Sequence, residues 1–418
     1  MTSLLHLLKD RFLYYYANKP LLLYGIIALA TFLIYITLDT INTYFIQFYP
    51  IYHSYYAQGT ADSVYFSIAV NRLLSLDFSI FNTQSFDGGL LAPFIYAIPV
   101  GLSRWFHLDL GYCFRLFYLS SLLITGYGIF LVGSKLYSNH NALKLSLSYI
   151  FNPFIFILTV WSGSEEIVES IFFVSILYLL LSDKEYSAIA LTFITCFYKY
   201  YTVLLLPLII LSISNRRKRI SITILLAVIS SIVGLFSLLF LPQYVSKVTG
   251  LFVTTFHIAG KGLFYLLVEY GGYTEFSHIT VMLYYSFIGL VILLFVWFSR
   301  DSHESFKYGF IFIIFFLLYP EFYPSYLIIP FISIVMLYPR FNKLLQYINY
   351  IILPLAIGLS EFAFNQIDSV YVTLNMQPTL LLRTIGVISL FGLYAIILWW
   401  VYLYFRHIFK SNDLDSHN

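Results

Sequence analysis

Charge is what this chain has least of. Asp, Glu, Lys and Arg make up 10% of its 418 residues, and 60% are hydrophobic; a soluble domain carries roughly 25% charged residues. The composition reads as an integral membrane protein, with no separate soluble domain visible in it. The formal net charge is only +3, too little for a basic face that would grip nucleic acid. Cysteine is nearly absent as well. Cys113 and Cys196 both fall in apolar segments, which fits buried free thiols and gives no disulfide framework. There is no Walker A motif, no GxGxxG, no HExxH and no His/Cys metal spacing; His53, His107, His257 and His278 are scattered. A nucleotide-driven pump and a zinc protease are thereby disfavoured. No internal repeat, inverted half or low-complexity tract stands out beyond the polar tail SNDLDSHN.

Apolar runs are abundant in their place. A span needs about 20 apolar residues, and the runs at 21–38, 112–133, 143–160, 167–181, 220–241, 280–299, 308–320, 325–338, 348–364 and 379–405 are read as spans. The 39 Tyr and 42 Phe suit interfacial belts and apolar helices. Residues 1–20 read as a cytoplasmic interfacial helix without a cleavable signal pattern, and 406–418 as a cytoplasmic tail. Two segments are ambiguous: 90–106, with Pro93 and Pro99, and 187–213, with Lys199 in its middle. If 90–106 does not cross fully and 187–213 breaks near Lys199, about twelve transmembrane helices result. Lys9, Arg11, Lys19, Lys135, Lys144, Lys184, Arg216–Arg219, Arg300, Lys307, Arg340, Lys343, Arg406 and Lys410 then lie inside, 16 of the 23 basic residues. If both segments cross straight, twelve spans result again, with Lys135 and Lys144 outside. The broken version is adopted. A helix broken at membrane depth has to line protein or a polar cavity, so it predicts a polar cavity beside Lys199. Two long outside loops remain, 39–110 and 242–279. The whole reads as one integral, all-α polytopic membrane domain in a plasma or ER-like membrane, with short amphipathic helices in the first outside loop.

Four constellations could carry chemistry. In the first loop, Ser63, Ser67, Asn71 and Ser75 recur every four residues opposite Phe66, Ala69, Val70, Leu73 and Leu76. That spacing predicts an amphipathic helix of about four turns, with Thr60 as N-cap and Asp62 in its first turn. The plainer reading of Asp62 is a charge that complements the helix dipole. Further on, Asp87-Gly88-Gly89 reads first as a turn. The second constellation, Trp161-Ser-Gly-Ser-Glu-Glu-Ile-Val-Glu-Ser170, sets Glu166 and Glu169 on one helical face. A capping box accounts for one glutamate but not for Glu169 within an apolar run. In the third, Phe197-Tyr-Lys-Tyr-Tyr201, the lysine either snorkels or takes an anionic partner such as a phosphate. The fourth, Leu318-Tyr-Pro-Glu-Phe-Tyr-Pro-Ser-Tyr326, is an aromatic belt or a sugar platform with Glu321 as a polar contact. Arg383, near the start of the last span, is a further phosphate candidate.

In this order the motifs resemble the GT-C superfamily of polytopic glycosyltransferases that use polyprenyl-phosphate sugars, above all the mannosyltransferases of GPI-anchor assembly and their prokaryotic relatives. Asp62 with Tyr65 matches that family's outside Asp and Tyr-containing helix, and Pro93 is the remnant of its "YPP" segment. Gly163-Ser164-Glu165-Glu166 matches the "GN-x-E" turn with Ser in place of Asn. Lys199 with Pro207 matches "K-x-[YF]-P" loosely, and Tyr319–Tyr323 the late "S-x-[QE]-[YF]" turn loosely. The likeness covers most of residues 20–335. It implies a GT-C fold and inverting transfer of a hexose, most simply mannose, on the non-cytoplasmic face. The donor would be a dolichyl- or polyprenyl-phosphate sugar, and the acceptor a glycan or lipid-linked sugar. Asp62 would be the base, and Lys199 with Arg72 or Arg383 the phosphate clamp. Tyr65, Asp87, Glu165, Glu166 and Glu321 would contact substrate. No cofactor is required, although loop carboxylates could take Mg²⁺ or Mn²⁺. Other classes stay open: a transporter or flippase of lipid-linked oligosaccharide, a ligase or polymerase, and a non-enzymatic assembly subunit.

Overall fold

The computed structural model describes residues 19–46, 61–77, 89–156, 158–159, 163–241, 245, 278–299, 306–319, 323–340, 343–359 and 380–415, the backbone alone at 38–46, 61–65, 278–279, 281, 340, 343–344, 380–383 and 407–415. Among these residues there is no strand. In chain order the helices are α1 (Pro20–Ile46), α2 (Ala61–Leu74), α3 (Ala92–Phe106), α4 (Leu110–Leu136), α5 (Asn139–Ile150), the single turn α6 (Pro153–Phe156), α7 (Glu166–Leu180), α8 (Glu185–Cys196), α9 (Leu205–Ser212) and α10 (Arg216–Phe240). There follow α11 (His278–Ser299), α12 (Lys307–Leu318), α13 (Ile328–Met336), α14 (Lys343–Tyr347), which runs into a π-turn at Ile348–Ile352, and α15 (Leu380–Asp415). The N-terminal interfacial helix, the 242–279 loop (position 245 and the start of α11 excepted) and most of the side chains of the C-terminal tail lie outside the described residues.

Local chemistry sets several boundaries. Asp109 opens α4 by accepting from the Tyr112 amide at 2.9 Å, and Asn215 opens α10 by accepting from the amides of Arg217 and Lys218 at 3.0 and 3.2 Å. Asn152 ends the helical run at Phe151 and restarts the chain, accepting from the Phe154 amide at 2.9 Å. The expected span 143–160 is therefore two pieces. His107, in the left-handed conformation (φ 52°), stops α3.

Among the described residues, five helices are long and apolar enough to cross a membrane: Pro20–Thr37, Leu110–Leu136, Arg216–Phe240, Met282–Ser299 and Thr384–Arg406. They coincide with five of the expected spans. The chain is a helical membrane protein. α10 shows why a bilayer is needed: Ile224, Leu225, Ile232, Leu235, Phe236, Leu238 and Leu239 are all exposed along it, a surface water would not tolerate.

The other expected spans are shorter. The runs at 308–320 and 325–338 form helices too short to count among those five. α12 has 12 residues, about 18 Å. From Tyr323 the chain comes back through a 3₁₀ turn (Pro324–Leu327) and α13. Segment 187–213 does the same. α8 ends at Cys196, the chain is extended at Lys199 (φ −139°, ψ 118°), and a 3₁₀ turn (Tyr200–Leu204) leads into α9. Both hairpins root at one end of the bundle. Lys218, at the start of α10, forms an ion pair with Glu185 at the start of α8 and lies 4.5 Å over the Tyr186 ring. The Tyr308 hydroxyl is 3.3 Å from Ser212 Oγ. Tyr137, just past α4, donates to the Met336 carbonyl at 2.9 Å, and Lys135 lies 5.5 Å over the Tyr178 ring. Lys135, Glu185, Lys218 and Tyr308 thus share a basic end, as the adopted topology expects. The break near Lys199 is where that topology put it.

The hairpins meet at their tips. The hydroxyls of Tyr200 and Tyr319 are 3.0 Å apart, and the Tyr201 ring packs on Phe316 and Tyr326 at 5.0 and 6.0 Å. α7 starts at the same level, 15 residues or about 22 Å from its basic-end terminus. Between tips and basic end the core is solid: every residue from Lys307 to Phe316 and all of α13 are buried. α3, 15 residues long, pairs antiparallel with the first half of α4, Tyr96 stacking on Phe114 at 5.7 Å, and the Leu91 amide before it rests on the 197–198 break.

Gly309 shows how tightly the second hairpin closes: a Cβ there would run into the Ser333 side chain. Gly309→Ala is expected to cost about 1–3 kcal/mol by overpacking, read as a lower midpoint in a detergent melt. Adding Ser333→Gly is expected to recover most of the loss; no recovery would show that the helices do not close on this pair.

Candidate functional site

The tip layer brings together four ionisable groups, Glu165, Glu166, Glu169 and Lys199; the buried Lys307 lies apart from them at the basic end. Lys199 Nζ forms an ion pair with Glu165 Oε1 and lies 3.7 Å from Glu166 Oε1. The Ser164 hydroxyl donates to the other Glu166 oxygen. Glu169, one turn further along α7 and 1% exposed, accepts from Thr202 Oγ1 at 2.8 Å and from the Tyr201 hydroxyl. Glu166 and Glu169 thus share a helix face, as their spacing predicts. That face looks onto the helix break.

The local folding follows from what each group needs. A lysine at this depth is costly unless neutralised, and neutralisation requires carboxylates within about 4 Å. Ending α8 at Cys196 and extending the chain at Lys199 aims the ammonium across at α7. Gly163 (φ 68°) turns the incoming chain so that Ser164–Glu166 face it. Lys199 does not snorkel to an interface. The anionic partner expected for it is supplied by the protein, Glu165 and Glu166 holding the position envisaged for a phosphate. The Ser164 side chain joins Glu166 rather than capping α7, whose N-cap position, Glu165, makes no side-chain cap, so Ser164 forms no capping box; Ser162 lies outside the described residues.

An aromatic ladder leads away from this cluster. The Tyr198 hydroxyl is 3.3 Å from the Glu165 carbonyl oxygen, to which it donates, and 2.8 Å from the Tyr96 hydroxyl. Tyr96, fully buried on α3, stacks on Phe66 of α2 at 4.1 Å. The chain before α3 is stitched to the break: the Leu91 amide donates to the Phe197 carbonyl at 2.9 Å, and a Cβ at Gly89 would strike the backbone of Phe197 and Tyr198. Gly89 is therefore required for close approach rather than for a turn alone.

Position 62 lies in the first turn of α2, one helical turn before Phe66 and on the same face by helical repeat. The side chains of Asp62 and Tyr65 lie outside the described residues, as do Asp87, Glu321 and the side chain of Arg383. Of the expected amphipathic face, Phe66, Ala69 and Val70 are buried and Leu73 half-buried; Ser67 is buried too, and Leu76 is exposed. Arg72 is exposed. Glu165, Glu166 and Lys199 are brought together. Tyr319, two residues before Glu321 in the chain, meets Tyr200, the neighbour of Lys199. Among the described residues no three His, Cys, Asp or Glu side chains converge to hold a metal ion.

Tyr96 and Thr202 were not singled out by the sequence, and Tyr198 and Tyr201 only as part of the Phe197–Tyr201 constellation, with no role of their own. Tyr198 and Tyr201 flank Lys199, a usable signal; Tyr96 is one aromatic among many and gives none. Compared with models of known protein families and with curated proteins, the chain matches neither.

Lys199→Ala leaves the carboxylates without their cation. The expected cost is about 3 kcal/mol, the low end for breaking a buried pair, because the lysine side chain is 16% exposed. In a detergent melt Lys199→Ala/Glu165→Gln is expected to be more stable than Lys199→Ala alone. The reverse order would mean the pair is not what stabilises the break.

Proposed function

We propose that the chain is a membrane glycosyltransferase that moves a hexose, mannose in the simplest case, from a polyprenyl-phosphate sugar to a glycan or lipid-linked acceptor. The observation that carries the reading is a cluster of ionisable groups at the tips of half-length hairpins, with solid apolar core on its basic side. A donor whose phosphate sits at the membrane rim can reach such a layer from one side only. The resemblance of the Asp62, Gly163–Glu166, Lys199 and Tyr319–Tyr323 motifs to GT-C enzymes adds to it.

The chemistry follows from the leaving group. The acceptor oxygen attacks the anomeric carbon, the bond from that carbon to the phosphate oxygen breaks with inversion, and polyprenyl phosphate departs with the electron pair. A phosphate leaves without a strong general acid, so one carboxylate is enough to take the acceptor proton. Asp62 fills that role. Lys199 meets the developing phosphate charge by exchanging Glu165 for the donor phosphate, and the released carboxylate turns to acceptor hydroxyls. Three glutamates against one lysine are a poor anion site. A second cation belongs to the reading: Arg72 or Arg383, or a Mg²⁺ or Mn²⁺ ion brought with the donor. Tyr65, Asp87, Glu166 and Glu321 contact the sugars. The reaction faces the side away from the basic end.

Transfer is tested with radiolabelled mannosyl- and glucosyl-phosphate polyprenols offered to membranes holding the chain, with and without chelator. Asp62→Asn is expected to remain folded in detergent and to lose at least 100-fold in transfer; full activity in that variant would remove Asp62 from the reaction.

The meeting of two helical hairpins at their tips favours one other reading, a transporter or flippase of lipid-linked oligosaccharide, since broken helices often frame transport sites. Transport requires the packed core beneath the tips to open. Proteoliposomes lacking any sugar donor decide between them: the enzyme reading expects no movement of lipid-linked oligosaccharide across the bilayer.

A further inference from the structure

A second polar feature lies at the basic end, away from the tip layer. Between α5, the turn Tyr338–Arg340 and the π-turn there is a cavity of about 500 Å³, within the size range of small-ligand pockets. Its polar lining is Asn141, Lys144, Ser148, Tyr338, Gln346 and Tyr350, and no carboxylate is among its lining residues. Lys144 is exposed and makes no ion pair among the described residues. Two more basic positions follow the lining in the chain: Arg340 comes directly after Pro339, and Lys343 lies one turn before Gln346.

The walls are held from behind. The Tyr350 hydroxyl donates to the Ser148 carbonyl at 2.5 Å, tying the π-turn to α5. Asn349 is buried below. It donates to the Tyr338 hydroxyl at 3.3 Å and accepts from Trp400 Nε1 at 3.0 Å, while its carbonyl accepts from Asn152 Nδ2 at 3.1 Å. A network satisfied at each of these positions fixes the cavity's shape before anything binds. The π-turn that creates it is a helix irregularity that recurs at functional sites. A site with one uncompensated ammonium, several neutral donors and no carboxylate selects an anion that accepts several hydrogen bonds.

We infer that this cavity binds a phosphate ester at the basic end of the bundle, with Lys144 as charge partner and Asn141, Ser148 and Gln346 as hydrogen-bond partners. The ester is either the head group of an anionic lipid or a soluble phosphate compound. The cavity is separate from the tip layer, so the inference stands apart from the proposed transfer reaction.

The test is calorimetric titration of the full chain in detergent with dioctanoyl phosphatidylglycerol, dioctanoyl phosphatidylcholine and glycerol 3-phosphate. Saturable binding of phosphatidylglycerol, or of glycerol 3-phosphate, is expected to weaken roughly tenfold in Lys144→Ala and to vanish when Asn141→Trp fills the mouth. Lys135→Ala, with the same charge removed from the same end outside the cavity, is expected to bind as the parent does. Binding of phosphatidylglycerol alone identifies a lipid head group; equal binding of glycerol 3-phosphate identifies a soluble ester. The inference is overturned if neither probe binds, if phosphatidylcholine binds as well as phosphatidylglycerol, or if Lys144→Ala and Lys135→Ala act alike.

Discussion

Lys199 sits where a helix cannot continue, and its ammonium is held by Glu165 with Glu166 close by. Most of the bundle's centre is arranged around keeping that charge neutralised away from water. The neutralising carboxylates have to come from another element. So α7 must begin at the depth where α8 ends, and the chain before α7 must turn sharply at Gly163 to bring Glu165 round. The extended residue at Lys199 leaves backbone groups that no helix satisfies, and the segment before α3 takes one of them through the Leu91 amide. One ion pair thereby ties four stretches of sequence to a single level in the protein.

Half-length helices are the architectural price of that arrangement. A hairpin of two 10- to 15-residue helices cannot cross a bilayer of about 30 Å hydrocarbon; it can only deliver its tip part of the way in. Two such hairpins and α7 all enter from the basic end. The long helices α1, α4, α10, α11 and α15 are the ones with the length and apolarity to cross. Small residues on α4 let its neighbours close in. Gly126 faces Ile150 and Gly128 faces Val174, and neither leaves room for a Cβ. In a membrane, where no hydrophobic effect drives helices together, this close approach is a main source of packing energy.

How much of this was legible in the sequence depended on what each signal measures. The five long helices were read correctly because a run of apolar residues reports directly on the medium. The break near Lys199 was read correctly from the cost of a charge in a long apolar run together with the positions of Lys184 and Arg216–Arg219. The runs at 308–320 and 325–338 were read as spans because hydropathy records apolarity and not depth. α12 and α13 are apolar all round since they are buried in protein, and burial and lipid leave the same trace. The partners of Lys199 escaped for a different reason. Glu165 is 34 residues away in sequence, and nothing in the spacing says that the two meet, so an external phosphate was the simplest partner to name. Tyr96 escaped entirely, because its use depends on α3 folding back against the break.

The wide sequence separation of the ion pair also matters while the protein is being made. Translation delivers Glu165, Glu166 and Glu169 before it delivers Lys199. A nascent chain in the membrane therefore holds three acids with no countercharge until those 34 residues have been added. Until the cation is made, the acids can stay neutral only by keeping their protons, just as an unpaired lysine could only by giving one up. The ion pair, and the layer it holds, can close only after Lys199 has been added.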